Sequence, residues 1–407
     1  MTKPTTTTTR RQFLRQAAAA VPLAGGAGRL WAAPASAPRL LVVFLRGAYD
    51  AASVLVPVGS DDYYAARPRI AIARPGSGPD AALALPDQSD WGLAPAWAGS
   101  MLPLYERGEL AAIPFAGTHE LSRSHFETQD HIELGQSDDP AAPRDFRSGF
   151  LNRLAEVLGA RDAIALTSDL PLVLRGAVKV PNLALGSVGR GGVDARQAAL
   201  IRQMYAGTPL AAPVNDGFDV RQAAQRELMG GMEAASRDAI TARGFEGEAR
   251  RIGRLMRDRY RLGFVDVGGW DTHVGQGAGA GALATRVGEL GNGLAALAQE
   301  LGEAAWRDTV VVVLSEFGRT FRENGNRGTD HGHGSTYWVL GGSVHGGRVV
   351  GEQVPVRLDT LHQNRDWPVL NEYRGVFAGL FQGMYGLSAA QLGRVFDGVV
   401  PLGLGLV

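Results

Sequence analysis

Acidic and histidine side chains lie close together at three places along the chain. Asp330, His331 and His333 alternate with glycines in one segment, and Asp271 and His273 lie two residues apart in another. Carboxylate oxygens and imidazole nitrogens are the ligands that divalent metals such as Zn²⁺, Mn²⁺ and Mg²⁺ favour. These groups predict a divalent metal site. The alternative is a hydrogen-bonded polar network that holds no metal.

The third place is residues 118–131, which contain three of the eight histidines. Ser124 and the candidate ligand His125 open a predicted helix. A hydroxyl there lies at the positive end of the helix dipole, where a phosphate-like anion is also favoured. The alternative is helix capping, because Ser124 and Glu127 have the spacing of a capping box. The two interpretations are compatible, since a capping turn can also form part of a site.

Three apolar segments are predicted to bring these groups together. Arg39–Leu45, Leu262–Val267 and residues 309–314 are apolar at almost every position, as in strands buried on both faces of a sheet. Sheets of this kind place their chemistry at the carboxyl ends of the strands. Candidate ligands follow the three strands in turn: Asp50, then Asp271 with His273, then Glu316. For Asp50, helix N-capping is an equally good interpretation.

Length and composition predict an α/β fold. A chain of 407 residues with 45% hydrophobic content can bury a large core. Helical periodicity with many arginines and alanines predicts a helical insertion or cap at roughly residues 160–260, with a strand at residues 170–174. We expect the remainder to form a mixed sheet between layers of helices.

Cysteine content and charge exclude several classes of protein. The chain has no cysteine, which excludes thiolate metal sites, cysteine nucleophiles and disulfides. Residues 1–35 hold five basic side chains and no acidic ones, so residues 36–407 carry 36 basic and 41 acidic groups, a net charge of −5. A mildly acidic chain without a basic stripe is a poor nucleic-acid binder. We therefore expect no nucleic-acid partner.

The first 35 residues are predicted to be an export signal. Residues 9–15, TRRQFLR, match the twin-arginine pattern, and a mildly apolar segment follows. That segment is shorter than the roughly 18 apolar residues of a membrane span. Cleavage is predicted after Ala35. The mature chain would then be periplasmic or secreted, without a membrane span, and the twin-arginine translocase would be its partner during export. A disordered basic arm is the alternative.

These pieces together resemble the DUF1501 family of exported bacterial proteins of unknown function. The matching segments span nearly the whole chain: the twin-arginine start, Leu45-Arg46-Gly47-x-x-Asp50, Ser124-His125-Phe126, Gly268-Gly269-Trp270-Asp271-Thr272-His273, Ser315-Glu316-Phe317-Gly318-Arg319-Thr320 and Asp330-His331-Gly332. That family is in turn similar to the alkaline phosphatase and sulfatase superfamily. The resemblance implies one domain over residues 36–407. Its fold would be a three-layer sandwich with a mixed, mostly parallel central sheet and the helical insertion.

The resemblance also implies a set of ligands. Asp50 would be the first-strand ligand, and Asp271 and His273 the second set. Glu316 would be the acidic ligand, and His331 or His333 the late histidine. Three departures from the superfamily pattern matter. Glu316-Phe317 replaces an Asp-His or Asp-Asn pair, and Asp271 and His273 are closer together than the usual pair of the superfamily. No Ser/Cys-x-Pro-x-Arg motif exists, which excludes a formylglycine sulfatase.

The activity implied by the resemblance is metal-dependent hydrolysis of a phosphate or sulfate ester. Ser124 is the first choice for the nucleophile and Ser122 the second, and Arg319 would hold the anion. The substrate would be a small anionic ester or a polysaccharide. The competing interpretation is a non-catalytic exported binding or scaffold protein that retains the fold.

Overall fold

The computed structural model describes residues 38–137, 144–185, 195–218 and 244–407. The chain divides into two units, Met1–Ser36 and Ala37–Val407. The predicted export signal and its cleavage after Ala35 lie outside the described residues and stay predictions.

Eleven strands are found in the part of the chain that the structure describes. They are β1 (Arg39–Leu45), β2 (Leu55–Val56), β3 (Leu83–Leu85), β4 (Gln88–Leu93), β5 (Leu110–Gly117), β6 (Ala163–Ala165), β7 (Leu262–Val267), β8 (Thr309–Ser315), β9 (Ser335–Leu340), β10 (Arg348–Val349) and β11 (Asn371–Glu372). The strands β2, β3 and β4 form a small antiparallel sheet.

The other eight strands form the central sheet, in the order β10-β5-β9-β8-β1-β7-β6, with β11 also paired to β5. Strand β1 lies between β7 and β8 and runs parallel to both. Strand β9 runs antiparallel to β5 and to β8, whereas the remaining pairs are parallel. The predicted α/β class with a mixed, mostly parallel sheet is therefore confirmed.

Nine α-helices flank these sheets in the described residues. They are α1 (Asp61–Ala66), α2 (Met101–Glu106), α3 (His125–Leu134), α4 (Phe150–Leu158), α5 (Ala195–Tyr205), α6 (Phe245–Asp258), α7 (Ala282–Arg307), α8 (Tyr373–Tyr385) and α9 (Ala389–Val395). None of these helices combines the length and the apolar character needed to cross a membrane.

Helices cover both faces of the central sheet. This burial explains why the sequence of β1 shows no alternation of polar and apolar residues. Leu41, Val43 and Leu45 pack in one core with residues of α6 and α7. Leu40, Val42 and Phe44 pack in a second core with residues of α4, α8 and α9. Because successive side chains of a strand point to opposite faces, burial on both faces requires an apolar residue at every position. The result is three layers.

The predicted helical insertion at roughly residues 160–260 stays a prediction, because residues 186–194 and 219–243 lie outside the described residues. Within that range, β6 pairs in parallel with β7 and so belongs to the central sheet. The prediction of a strand at residues 170–174 is wrong, since Leu172–Leu174 is a 3₁₀ helix. Side chains replace strand pairing there: Glu133 accepts the N–H of Val173 at 3.0 Å, and Asn152 donates to the carbonyl of Leu174 at 2.8 Å.

Candidate metal centre

The candidate site lies where β1, β7 and β8 end, at the carboxyl edge of the central sheet. Gly47, just after β1, has a φ of 115°, a conformation that favours glycine. A Cβ at this position would lie 2.8 Å from the backbone nitrogen of Asp271, in the loop after β7. The Gly47 amide also donates to Glu316 Oε1, after β8, at 2.8 Å. Gly47 thus allows the three strand ends to approach closely.

Three histidines and one aspartate converge at this edge. His331 Nε2 lies 3.0 Å from His125 Nε2 and 3.1 Å from His273 Nε2. Asp271 Oδ1 lies 2.9 Å from His273 Nε2, 3.4 Å from His331 Nε2 and 3.7 Å from His125 Nε2. His125, Asp271 and His331 each offer a ligand atom within 4.8 Å of the other two. The structure therefore holds a candidate metal triad, with His273 beside it.

The opposite ring nitrogen of each histidine faces an oxygen that accepts a hydrogen bond. The Nδ1···O distances are 2.7 Å from His125 to Glu316 Oε1, 3.1 Å from His273 to Asp330 Oδ1 and 2.8 Å from His331 to the Arg123 carbonyl. These oxygens accept hydrogen bonds, so we assign the proton of each neutral ring to Nδ1. Each Nε2 then keeps its lone pair.

This arrangement fits a metal ion. Three Nε2 lone pairs and one carboxylate oxygen would repel one another at 3 Å, and a cation among them removes that repulsion. Histidines that bind metals usually donate their other N–H to a carboxylate or a carbonyl, as all three rings do here. A set of three nitrogens and one oxygen suits Zn²⁺ and related divalent ions.

Charges around the triad tune its ionisation. The hydrogen bond and charge of Glu316 raise the pKa of His125, although burial opposes the shift. For Glu316 itself, burial would raise the pKa, but hydrogen bonds from His125 and Gln129 outweigh it and the pKa is lowered. For Asp271, burial is outweighed mainly by the Arg319 charge, so its pKa is also lowered. Burial lowers the pKa of His331. The carboxylates are therefore ionised and His331 is neutral at pH 7.

Arg319 lies behind the triad, and its predicted role as the anion-holding residue stays a prediction. Its side chain is fully buried, and Nη2 donates to Asp271 Oδ1 at 2.8 Å. This contact shows that Arg319 orients Asp271. Its Nε and Nη1 atoms are buried and have no hydrogen-bond partner among the described residues.

Glu316 and Asp330 also lie behind the histidines rather than at the centre of the triad. Glu316 is fully buried, and its Oε1 accepts hydrogen bonds from Gly47, His125 and Gln129 while Ser315 donates to Oε2. Asp330 Oδ1 accepts from Asn324 at 3.0 Å as well as facing His273. The structure thus brings both predicted ligands to the site, where they contact histidines rather than the centre of the triad.

Asp50 is not brought to the triad. It is buried, and its two oxygens accept hydrogen bonds from the Arg67 guanidinium at 2.6 and 3.0 Å. Ser53 and Gln276 donate to Oδ2 at 2.7 and 2.8 Å. With its charge neutralised and its lone pairs engaged, Asp50 is a structural ion pair in this structure. The alternative of helix N-capping is not found either, because the side chain makes no capping hydrogen bond.

His333 is also placed away from the triad. Its ring is buried against that of His362, with ring centroids 4.9 Å apart. Burial, followed by the charges of His362 and Arg123, lowers the pKa of His333 to about 4. Only Gly332 separates it from His331, yet His331 Nδ1 faces the Arg123 carbonyl whereas the His333 ring packs against His362.

Ser124 and Ser122 lie at the start of α3. Ser124 is the N-cap, and its hydroxyl accepts from the Glu127 N–H at 3.5 Å, which confirms the capping interpretation. The Ser122 hydroxyl donates to the Glu127 carboxylate at 2.5 Å. Ser124 immediately precedes the ligand candidate His125 in the sequence. Its role as nucleophile stays a prediction.

Several residues of the site were not predicted from the sequence. Gln129 donates to Glu316 at 2.8 Å and lies four residues after His125, so helical spacing could have shown that both share one face of α3. No sequence signal indicates the Arg123 carbonyl that fixes His331, or Gln276, which hydrogen-bonds Thr272 and Thr329 of two loops as well as Asp50. These contacts depend on the fold.

A model of the DUF1501 family, described as a protein of unknown function, matches residues 37–399. No curated protein matches the chain. Two matching solved structures are crystal structures of Ps i-CgsB. The complex with k-i-k-neocarrahexaose has a TM-score of 0.39 and 11% identity, over 87% of this chain and 74% of that one. The other has a TM-score of 0.35 and 10% identity, over 89% and 75%.

Proposed function

The chain belongs to the DUF1501 family, and we propose that it is an exported, metal-dependent hydrolase of phosphate or sulfate esters. The observation that supports this most strongly is the convergence of His125 Nε2, His331 Nε2 and Asp271 Oδ1, with His273 Nε2 beside them, while each Nδ1 faces an accepting oxygen. His125, His273, His331 and Asp271 would hold the ion. A divalent ion bound there would act as a Lewis acid and stabilise negative charge on ester oxygens.

The surroundings of the triad favour an anionic substrate. His125 is the first residue of α3, so the partial positive charge of that helix end lies beside the triad. The side chains of Asp271 and His273 are 46% and 39% exposed, so a substrate can reach them from solvent. Phe126 is 80% exposed next to His125 and offers an apolar surface for the organic part of an ester, including a sugar ring of a polysaccharide.

Ser124 is the proposed nucleophile. Its hydroxyl oxygen would attack the phosphorus or sulfur atom after losing its proton to solvent, and the ester oxygen would leave as an alcohol after taking up a proton. Water would then release phosphate or sulfate and restore Ser124. Arg319 contributes by fixing Asp271, and Glu316 by fixing His125.

Export through the twin-arginine route is part of the proposal. Residues 9–15 carry the paired arginines, and the absence of cysteine suits an oxidising compartment. A protein that folds before export can take up its metal in the cytoplasm. The mature protein would then work in the periplasm or outside the cell.

The test begins with the metal content of protein purified without chelator, followed by EDTA treatment and thermal melting. We expect bound divalent metal, a melting temperature that EDTA lowers, and turnover of p-nitrophenyl phosphate or p-nitrophenyl sulfate. An ion that binds only the native state stabilises it by mass action. A His273→Ala protein should have lost metal and should no longer respond to EDTA. The matched control is His345→Ala, which removes an exposed histidine away from the triad.

Metal-free wild-type protein whose melting is indifferent to EDTA would contradict the proposal and favour a hydrogen-bonded network. A second function, metal-dependent binding without turnover, is favoured by one observation: the Ser124 hydroxyl serves as the N-cap of α3. Metal-replete protein that hydrolyses neither ester class would support that function instead.

A further inference from the structure

Two arginines share one buried carboxylate next to the triad. Arg123 Nη2 donates to Asp366 Oδ2 at 2.9 Å, and Arg365 Nη1 donates to both oxygens of Asp366 at 3.1 and 2.9 Å. The side chain of Asp366 is fully buried, whereas those of Arg123 and Arg365 are 36% and 37% exposed. The carboxylate is therefore hidden while part of each guanidinium faces solvent.

Both arginines are joined to the same ligand candidate. The backbone carbonyl of Arg123 accepts from His331 Nδ1 at 2.8 Å, and Arg365 Nη2 donates to the carbonyl of His331 at 2.8 Å. The arginine pair is thus fixed directly beside one histidine of the triad. A molecule bound at the triad would have this pair within reach.

The charges of this group do not cancel. Two guanidinium groups meet one carboxylate, so the group has an excess of one positive charge. The nearby rings of His333 and His362 bring no negative charge. Arg123 Nε is buried and has no hydrogen-bond partner in the described part of the chain. Guanidinium groups with N–H donors to spare bind oxyanions well, because their planar geometry matches that of carboxylate, sulfate and phosphate.

A strained turn holds the pair in place. His362 and Asp366 form an antiparallel bridge, with His362 N–H donating to Asp366 O at 2.8 Å. Gln363 and Asn364 at its tip both have a φ of 53°, which residues other than glycine adopt rarely. Strain of this kind persists where the surrounding structure requires it and is frequent at functional sites. The turn presents Arg365 to His331 and Asp366 to Arg123.

We propose that Arg123 and Arg365 form an anion subsite beside the metal triad, and that the substrate carries a second oxyanion next to the ester that is cleaved. That second group would be a sulfate, a phosphate or a carboxylate. The substrate class is thereby narrowed from any phosphate or sulfate ester to polyanionic esters. The statement about the substrate rests on the proposed function. Anion binding at Arg123 and Arg365 can be measured independently of hydrolysis.

The binding test uses Arg123→Gln. This change removes the guanidinium but keeps the backbone carbonyl that accepts from His331. EDTA-treated wild-type protein should be stabilised against heat by sodium sulfate more than by sodium chloride of equal ionic strength. Arg123→Gln should bind sulfate roughly tenfold more weakly, as expected for the loss of a charge-assisted hydrogen bond. Arg250→Gln is the matched control, because Arg250 is 40% exposed and makes an ion pair on α6. Equal sulfate protection of all three proteins would overturn the subsite.

The kinetic test compares p-nitrophenyl sulfate with an aryl ester that carries two sulfate groups. Arg123→Gln should raise the KM for the disulfate roughly tenfold more than the KM for p-nitrophenyl sulfate, because the lost contact is made to the group that does not react. Arg123→Lys should recover part of the loss by keeping the charge. Equal KM effects on both esters would contradict the subsite. Wild-type protein that binds sulfate at Arg123 but cleaves neither ester, nor any phosphate ester, would contradict the hydrolase and leave the anion subsite supported.

Discussion

At the scale of residues, each histidine of the triad region depends on one oxygen behind it. Asp330 supplies that oxygen for His273, at 3.1 Å, and is itself 52% exposed. An aspartate in this position fixes the ring orientation and makes the facing Nε2 more basic. The metal affinity of the proposed site would therefore be set partly by residues that never touch the ion.

Asp330→Asn should weaken metal binding by roughly tenfold to a hundredfold, the range typical for partners of metal ligands. The amide oxygen can still accept from His273 Nδ1, but the negative charge is lost. Competition with a metal-sensitive dye would measure the change. Asp359→Asn, in an exposed ion pair with Arg357, is the control that should leave the affinity unchanged. An unaltered affinity in Asp330→Asn would show that the Asp330 charge has no part in the site.

Residue types and spacing predict most of the triad region but not its arrangement. His125, Asp271, His273 and His331 are all identifiable from their clusters, because few other roles gather imidazoles and carboxylates after apolar strands. Asp50 looks the same in sequence, yet it is paired with Arg67. Nothing in residues 51–66, which lie between them, indicates that pair, since it requires α1 to end where the guanidinium can turn back. Sequence places the candidates, and only the fold separates ligands from ion pairs.

At the scale of elements, Arg67 connects segments that the sequence keeps far apart. It follows α1, pairs with Asp50 after β1, and donates to the carbonyls of Thr320 and Phe321 after β8. Its side chain is 1% exposed, as is that of Asp50. Removing one partner of a buried ion pair leaves an uncompensated charge and is costly.

Arg67→Ala should lower the free energy of unfolding by about 3–5 kcal/mol, measured by urea denaturation. Arg74→Ala is the control, because Arg74 and Asp61 form an exposed pair, and it should cost less than about 1 kcal/mol. Equal destabilisation by the two changes would contradict the structural importance of the buried pair.

The buried ion pair of Asp50 and Arg67 predicts that the stability of the fold depends on pH. Burial alone would raise the pKa of Asp50, but the charge and hydrogen bonds of Arg67 outweigh it, so the pKa lies below its ordinary value. A carboxyl with a lowered pKa in the folded state stabilises the protein above the pKa of the unfolded chain, about 4. That stabilisation is lost as the pH falls through the lower, folded-state value. An Asp50→Asn protein should lack this part of the acid unfolding transition. An unchanged transition would contradict the contribution of the Asp50–Arg67 pair.

Helix α3 allows the capping role of Ser124 to be separated from its proposed role as the nucleophile. Ser124→Ala should cost about 1 kcal/mol through the lost N-cap, keep its metal and abolish ester hydrolysis. Ser388→Ala provides the comparison, because Ser388 caps α9 in the same way, and it should lose similar stability but no activity. If Ser124→Ala retained turnover, the nucleophile would be Ser122 or water.

The strands that are buried on both faces are the elements whose bounds the sequence predicts best. The central strands β1 and β7 match their predicted bounds, and β8 extends one residue further, because burial on both faces imposes a continuous apolar sequence. The 3₁₀ turn at Leu172–Leu174 was mistaken for a strand, since its apolar residues are also buried. Its backbone groups are satisfied by Glu133 and Asn152, and such distant side-chain partners leave no local pattern.

At the scale of the whole molecule, the export proposal makes a prediction about the precursor. Replacing Arg10 and Arg11 by Lys should leave the full-length precursor in the cytoplasm, because the paired arginines are the recognition feature of the pathway. Cell fractionation followed by immunoblotting would show it. Replacing Arg15 alone by Lys is the control and should permit export. Normal processing of the double variant would remove the twin-arginine assignment.

The position of β1 in the sheet also constrains the time course of folding. Its neighbour β8 follows much later in the chain: the Ser315 hydroxyl bonds to the Leu45 carbonyl across 270 residues. At usual rates of synthesis, the ribosome needs on the order of ten to fifty seconds to add that many residues. For most of that interval the apolar strand β1 has neither parallel neighbour, because β7 (Leu262–Val267) also follows late in the chain. A nascent chain of this kind is open to aggregation, so chaperones that shield β1 should limit its yield in the cell more than the stability of the finished fold does.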